Sequence, residues 1–291
     1  MMTDLTQEQI QKVLQGIAIP PQPQIMVDLQ MEQMSPDCSI NAIADLIGQD
    51  IGLAGSILKT VNSPFYGLSN KITSINQAVN LLGVKSVINL VNGLSIKGEL
   101  GDDQIIALGK FWDSSMEVAL AASVIAKQIG FAAPDEAYTL GLFHNCGIPL
   151  LMMRFENYPQ VLAEAYARDN ARMIDTENEQ LKTNHAVVGY YVAKSWNLPA
   201  YICEAIHEHH TIEKSFAREQ TNPTKKTLLA IIKMAEHICG THRILGNCDL
   251  DLEWQRIEEQ VLLYVGMSQY DFASLEQQIH EMGLGGGDYY C

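Results

Sequence analysis

The chain contains no run approaching the roughly 20 consecutive apolar residues that a bilayer-spanning helix needs, so no membrane span is expected. It has few basic residues: 19 Lys and Arg stand against 34 Asp and Glu, a formal charge of −15. That field repels nucleic acid and anionic membrane surfaces at long range, and no local basic patch interrupts it. No Gly-rich phosphate loop occurs, which speaks against a nucleotide-cradling site. The six cysteines (Cys38, Cys146, Cys203, Cys239, Cys248, Cys291) form no CxxC pair. They read mostly as small buried hydrophobes. Met1 to Thr6 lacks the basic start and apolar core of a signal peptide, and a cytoplasmic location is expected. Up to Leu100 no stretch has the alternating period of an exposed strand.

What is present is helical punctuation. With 291 residues, 47% hydrophobic and 18% charged, the chain can bury a core in one large or two ordinary domains. Thr6 with Gln9 fits a capping box, Gly16 stops a first helix, and Pro20, Pro21 and Pro23 precede a second carrying Met26 and Leu29. Ser39, Asp50 and Ser74 are expected to cap helices over 40–47, 51–61 and 75–82. Asn62-Ser63-Pro64 ends the middle one as a turn, and 84–96 is again amphipathic. This N-terminal bundle, 1–100, carries no titratable cluster of catalytic spacing. A break at Gly101-Asp102-Asp103 separates it from a second helical domain, 101–282, and Gly283 to Cys291 reads as a loose tail.

The second domain holds the chemistry. Helices are expected over 116–129 (alanine-rich, suited to close packing), 134–144, 157–167, 177–181, 185–196, from Pro199 to His209, 224–239, 253–265 and 270–282. Five of the eight histidines, His144, His185, His207, His209 and His210, lie on three of these segments. His209 ends an apolar stripe and should point inward, whereas His207 and His210, three apart, share an adjacent face expected to be solvated. Glu236 is the only acid in the central turns of its helix. Imidazoles with one carboxylate on separate helices suit a transition-metal or dimetal hydrolase site, or a hydrogen-bonded core. Cys146 as a nucleophile for His144 is disfavoured, because residues two apart on a helix do not face each other.

Gly141-Leu142-Phe143-His144-Asn145-Cys146-Gly147 resembles the GLLHDIG stretch of HD-superfamily phosphohydrolases. His185-Ala186-Val187-Val188-Gly189, Trp196-Asn197-Leu198-Pro199 and His209-His210 resemble the segments that follow it there. Ile19-Pro20-Pro21-Gln22-Pro23, Asp50-Ile51-Gly52-Leu53, Val61-Asn62-Ser63-Pro64-Phe65-Tyr66-Gly67, Ile75-Asn76-Gln77-Ala78-Val79 and Leu82-Gly83 are similar to the N-terminal signature of the HDOD family. That resemblance, over about 15–240 in motif order, implies an all-α fold with an N-terminal helical bundle packed on an HD-like helical domain. It also implies a bacterial signalling module related to the HD-GYP cyclic-dinucleotide phosphodiesterases but without their catalysis.

Set beside the catalytic members, the ligand histidine near the Trp becomes Ser114, the metal-bridging aspartate becomes Asn145, and the last ligand aspartate becomes Glu236. Of that set His144 alone is unchanged. An amide in place of a bridging carboxylate removes a negative charge from between two cations, so a metal pair should not assemble. Ser114 with Glu117 also fits a helix cap. The expectation is therefore a degenerate pocket (Ser114, His144, Asn145, His185, His209, His210, Glu236) with no catalytic residue and no required cofactor. The chain would act through an unidentified signalling partner or small ligand. The competing expectation is a residual phosphohydrolase acting on nucleotides or cyclic dinucleotides around a single loosely held divalent ion.

Overall fold

The computed structural model describes residues 7–100, 106–169, 171–218 and 220–285, and every regular element among them is a helix. The N-terminal half runs through α1 (Gln7–Leu14), α2 (Gln24–Met34), α3 (Ile40–Gly48), α4 (Ile51–Val61), α5 (Ile75–Leu82) and α6 (Val84–Leu100). The second half continues with α7 (Ile106–Gln128), α8 (Pro134–Phe143), α9 (Gly147–Arg154), α10 (Tyr158–Ala167), α11 (Met173–Leu181) and α12 (His185–Ser195). It closes with α13 (Ala200–Glu208), α14 (Ile212–Ala217), α15 (Pro223–Ile238), α16 (Thr241–Ile244), α17 (Leu252–Val265) and α18 (Gln269–Glu281).

The expected caps are the ones that form. Ser39, Asp50 and Ser74 accept from the amides of Ala42, Leu53 and Gln77 at 3.1, 2.9 and 3.2 Å. Asn62 ends α4 and clamps the following loop: its amide donates to the carbonyls of Leu58 and Ile72, and its oxygen accepts from Ile72 N, each at 2.8 Å. The Asn62-Ser63-Pro64 segment therefore has a structural task. The Thr6 capping box and the Gly101-Asp102-Asp103 break lie outside the described residues, as do residues 286–291 of the expected tail. Within the expected tail, Leu284 and Gly285 are packed rather than loose: Leu284 is buried and the Gly285 amide donates to Glu117 at 3.0 Å.

One contiguous set of buried apolar side chains runs through both halves. Two of the sequence motifs meet across it, where the Trp196 indole N–H donates to Pro20 O at 2.9 Å and the ring packs edge-on against Phe143. At the centre α7 lies along α8 and α15. The approach of α7 to α8 depends on small residues, because a Cβ on Gly141 would lie 2.6 Å from Ala119 Cα. Likewise α9 starts against α12, where a Cβ on Gly147 would lie 2.1 Å from His185 O and 2.9 Å from Gly189 N. These two glycines bracket His144 and set where its side chain can go.

Gly147→Ala should consequently lower stability by about 3 kcal/mol or more, because backbone rather than a movable side chain must shift. Gly55→Ala, in the exposed middle of α4 with nothing within 4 Å, should instead raise it by about 0.5–1 kcal/mol. Urea unfolding of the two variants checks both signs.

Candidate functional site

Five helices deliver the pocket. His144 caps the C-terminus of α8, and its Nδ1–H donates to Gly141 O at 2.6 Å. Asn184 accepts from Val187 N at 2.9 Å and so starts α12 with His185 as its first residue. His209 ends α13, donating Nδ1–H to Ile206 O at 2.6 Å, and His210 follows. Glu236 comes from α15, a helix buried on every side from Leu228 to Glu236. From α17 comes Glu253, whose carboxylate lies 2.8 Å from His210 Nδ1. Behind His185 stands Glu177 of α11, which accepts from His185 Nδ1 at 2.8 Å, from its amide at 3.2 Å and from the Tyr158 hydroxyl.

The Nε2 atoms of His185 and His209 are 3.3 Å apart, and ligand-capable nitrogens of His185, His209 and His210 lie within 4.8 Å of one another. His144 Nε2 is 3.4 Å from Glu236 Oε1. The other oxygen of Glu236 is 2.8 Å from the ammonium of Lys233, which also meets Glu253 at 2.9 Å and His210 Nδ1 at 3.3 Å. Lys233 is 3% exposed, so a full positive charge sits inside the pocket wall.

The electrostatics follow from that cation. Burial alone would discharge Lys233, but Glu236 and Glu253 push its pKa above the ordinary lysine value. Burial would likewise protonate Glu236, yet Lys233, with His144 beside it, holds the carboxyl well below the usual range. Glu253 is raised, burial outweighing Lys233. His209 is held well below the ordinary value by burial, the neighbouring His210 and Lys233. His210 is lowered in the same way by burial and then Lys233. Cys146 is buried and its thiol is pushed up by desolvation, the opposite of an activated nucleophile.

His144, Asn145, His185, His209, His210 and Glu236 converge as expected, all buried. Two readings need correction. Ser114 is not a helix cap: α7 begins at Ile106, because Phe111 and Trp112 extend its apolar face upstream, and Ser114 is buried mid-helix. His210 is not solvated; it is 1% exposed, and only His207 remains partly open to a surface cleft with Tyr190, Tyr201 and Lys225.

Lys233, Glu253 and Glu177 were absent from the sequence-based set. Lys233 left a signal, being the one charge in the apolar run Leu228 to Ala235, three residues before Glu236. A helix apolar all round is buried, so that charge needs partners. Nothing in the spacing marks Glu253 or Glu177.

The two-metal centre that the resemblance suggests does not fit these residues. Asn145 supplies an amide where a bridge is needed, its Oδ1 is buried without a partner, and Glu236 is bound to an ammonium. A single transition-metal ion is another matter. Ligand-capable nitrogens of His185, His209 and His210 lie close together, and the Nδ1 atoms of His185 and His209 are fixed by Glu177 and the Ile206 carbonyl behind them.

Comparison with known proteins extends the picture. The HDOD domain profile matches residues 19–212. A protein of Treponema pallidum (strain Nichols) is 28% identical over 213 residues, which is 72% of this chain but 40% of that protein's length. The chain thus spans less than half of that relative. The crystal structure of an HDOD domain protein of unknown function from Geobacter sulfurreducens superposes with a TM-score of 0.72 at 26% identity, covering 94% of each chain. A protein from Shewanella amazonensis SB2B that bears the name of a phosphohydrolase gives 0.67 at 22% identity, over 95% of this chain and 94% of its own. At that identity the second likeness is one of fold.

The buried histidines give the pocket a pH signature. Below the ordinary histidine value of about 6.5, the unfolded chain takes up protons that His209 and His210 refuse while buried, so stability falls as pH falls. In the presence of a chelator, the urea midpoint should drop between about pH 7 and pH 5, before most carboxylates titrate. The His209→Gln, His210→Gln double variant should flatten that slope. A wild-type midpoint unchanged across the interval would mean that the two rings are not held neutral.

Proposed function

This chain belongs to the HDOD family, and from that premise we propose that it is a bacterial signal-transduction module that works by binding a partner protein or a small ligand, without turnover. The observation that carries this reading is the buried ammonium of Lys233, paired at 2.8 and 2.9 Å with the two carboxylates of the pocket. An HD hydrolase uses a metal pair to polarise a phosphoryl group and generate hydroxide from bound water. Here the carboxylate charge that such a pair would require is already neutralised from within the fold. Like charges about 4 Å apart repel by about 4 kcal/mol per unit charge even at an effective dielectric near 20. A divalent ion beside Glu236 would meet that repulsion, and Asn145 would not offset it.

The pocket also lacks an alternative chemistry. Cys146 is desolvated, and Glu236, held ionised by Lys233, is poorly suited as a general acid. The conversion of a catalytic pocket into a rigid, internally paired core suits a module whose output is its surface. A second reading, residual phosphodiesterase activity, draws on the three clustered imidazole nitrogens.

Turnover separates the two. Protein stripped and reloaded with manganese, iron(II), nickel or zinc is expected to hydrolyse neither cyclic dinucleotides nor simple phosphodiesters above the protein-free rate. Metal-dependent hydrolysis that disappears in His144→Ala would sink the proposal and restore the hydrolase reading.

A further inference from the structure

Between the two halves lies a cavity of about 500 Å³ whose wall contains none of the clustered histidines. From the N-terminal half, the turn after α4 and the middle of α6 line it through Phe65 and Leu94. From the second half, α7 and α8 contribute Trp112, Met116, Leu120 and Leu142. Gly93 of α6 adds bare backbone to the wall. A Cβ there would lie 3.0 Å from Leu142 Cδ2 and 3.2 Å from Met116 Cε, too tight for either side chain to keep its place.

Small-molecule sites enclose about 300–1,000 Å³, are mostly apolar with a few placed polar groups, and favour the junction of packed units. This cavity has those properties. The cleft around His207 is instead a charged one, with Lys225 already paired to Glu204 and Glu208 at 2.8 and 3.2 Å. Trp112 is 5% exposed, its ring lies edge-on to Phe111, and its indole N–H is buried with no partner among the described residues. An indole only donates, so the group that satisfies it is an acceptor. A buried donor left unpaired bears its full desolvation cost, and an acceptor carried in by a ligand removes that cost. The charged groups of the wall are Lys59, Asp113 and Glu117, one base against two acids, and Glu117 already accepts from the Gly285 amide. An apolar lining with that balance disfavours a charged ligand, an anion most of all.

We infer that the cavity between the halves binds one small uncharged molecule, an apolar ring body bearing a ketone, ester or amide carbonyl that accepts from the Trp112 indole N–H. Such an occupant touches both halves at once. It meets α8 at Leu142, two residues before His144, and so reaches the helix that carries the histidine pocket. The inference deepens the proposed binding role and, as a statement of function, rests on it. Occupancy of the cavity is measured apart from turnover, so either reading can fail alone.

The test is binding of prodan, a neutral naphthyl ketone, to the full chain. Its emission should shift to the blue on addition of protein and saturate at one equivalent per chain. Ser56→Phe, which adds bulk to the wall from α4, should weaken binding about 10-fold or more. Trp112→Phe keeps the ring but removes the donor, and should weaken it about 2- to 10-fold, the worth of one hydrogen bond. His207→Gln, at the other cleft, should leave it unchanged. The naphthoate anion should bind more weakly than prodan. In isotope-labelled wild type, the indole N–H signal of Trp112 should move on titration, while that of Trp196, already bonded to Pro20 O, stays in place. Should a variant fail to fold, this wild-type spectrum decides, with its signals assigned through the backbone. No saturable binding, binding unchanged by Ser56→Phe, a Trp112 signal that stays in place while prodan binds, or tighter binding of the anion would overturn the inference. So would binding that appears only once a dimer dissociates, because a second copy would then be what covers the cavity.

Discussion

A lysine ammonium enclosed between two carboxylates governs the rest of the pocket. Lys233 ties α15 to α17 through Glu253, fixes Glu236 as a carboxylate, and lies against the donor side of His210. A buried ion pair adds little net stability by itself, because desolvating its members offsets most of the attraction. Its effect is conditional: with Lys233 in place, the buried Glu236 and the partly buried Glu253 can share one wall, whereas without it two like charges would face each other there. The position of the first residue of α17 that faces inward is thus set electrostatically as much as by packing.

The second constraint is steric. Gly141 lets α8 rest on the backbone of α7, and Gly147 lets α9 begin against the first residue of α12. Between them α8 ends and α9 begins, so the buried His144 and Asn145 sit where both helices are pressed against backbone. Opposite, Glu177 gathers the Tyr158 hydroxyl, the His185 amide and the His185 ring. One carboxylate thereby starts a helix and fixes an imidazole tautomer. The convergence of residues from five helices is held both by such supports behind the pocket and by the Lys233 ion pairs within it.

Local chemistry made much of this legible. Ser39, Asp50 and Ser74 each cap a helix with the side-chain oxygen the sequence offers, and the apolar stripes point the way their spacing indicates. Residues that share a segment motif, such as His144 with Asn145 or His209 with His210, could be placed in one pocket from that alone. What escaped was decided by packing at a distance. Ser114 looked like a cap only until Phe111 and Trp112 found partners that prolong the helix. His210 looked exposed because its burial is supplied by α15 and α17, far along the chain. Glu253 and Glu177 are ordinary surface-type acids in sequence; only the tertiary fold makes them partners of a buried charge and a buried ring.

The pocket therefore divides two tasks that a hydrolytic metal centre combines. Its anionic groups answer to an internal cation, so the charge that would attract a metal pair is spent within the fold. Its imidazoles are held from behind: Nδ1 of His185 and of His209 faces Glu177 and the Ile206 carbonyl, and Nδ1 of His210 lies between the Glu253 carboxylate and the Lys233 ammonium. Neutral nitrogen donors distinguish ions by softness and geometry, not by total charge, and they tolerate a nearby ammonium that a carboxylate-rich site would not. In this pocket the carboxylates and the imidazoles therefore answer to different supports, the former to Lys233 and the latter to Glu177 and the Ile206 carbonyl.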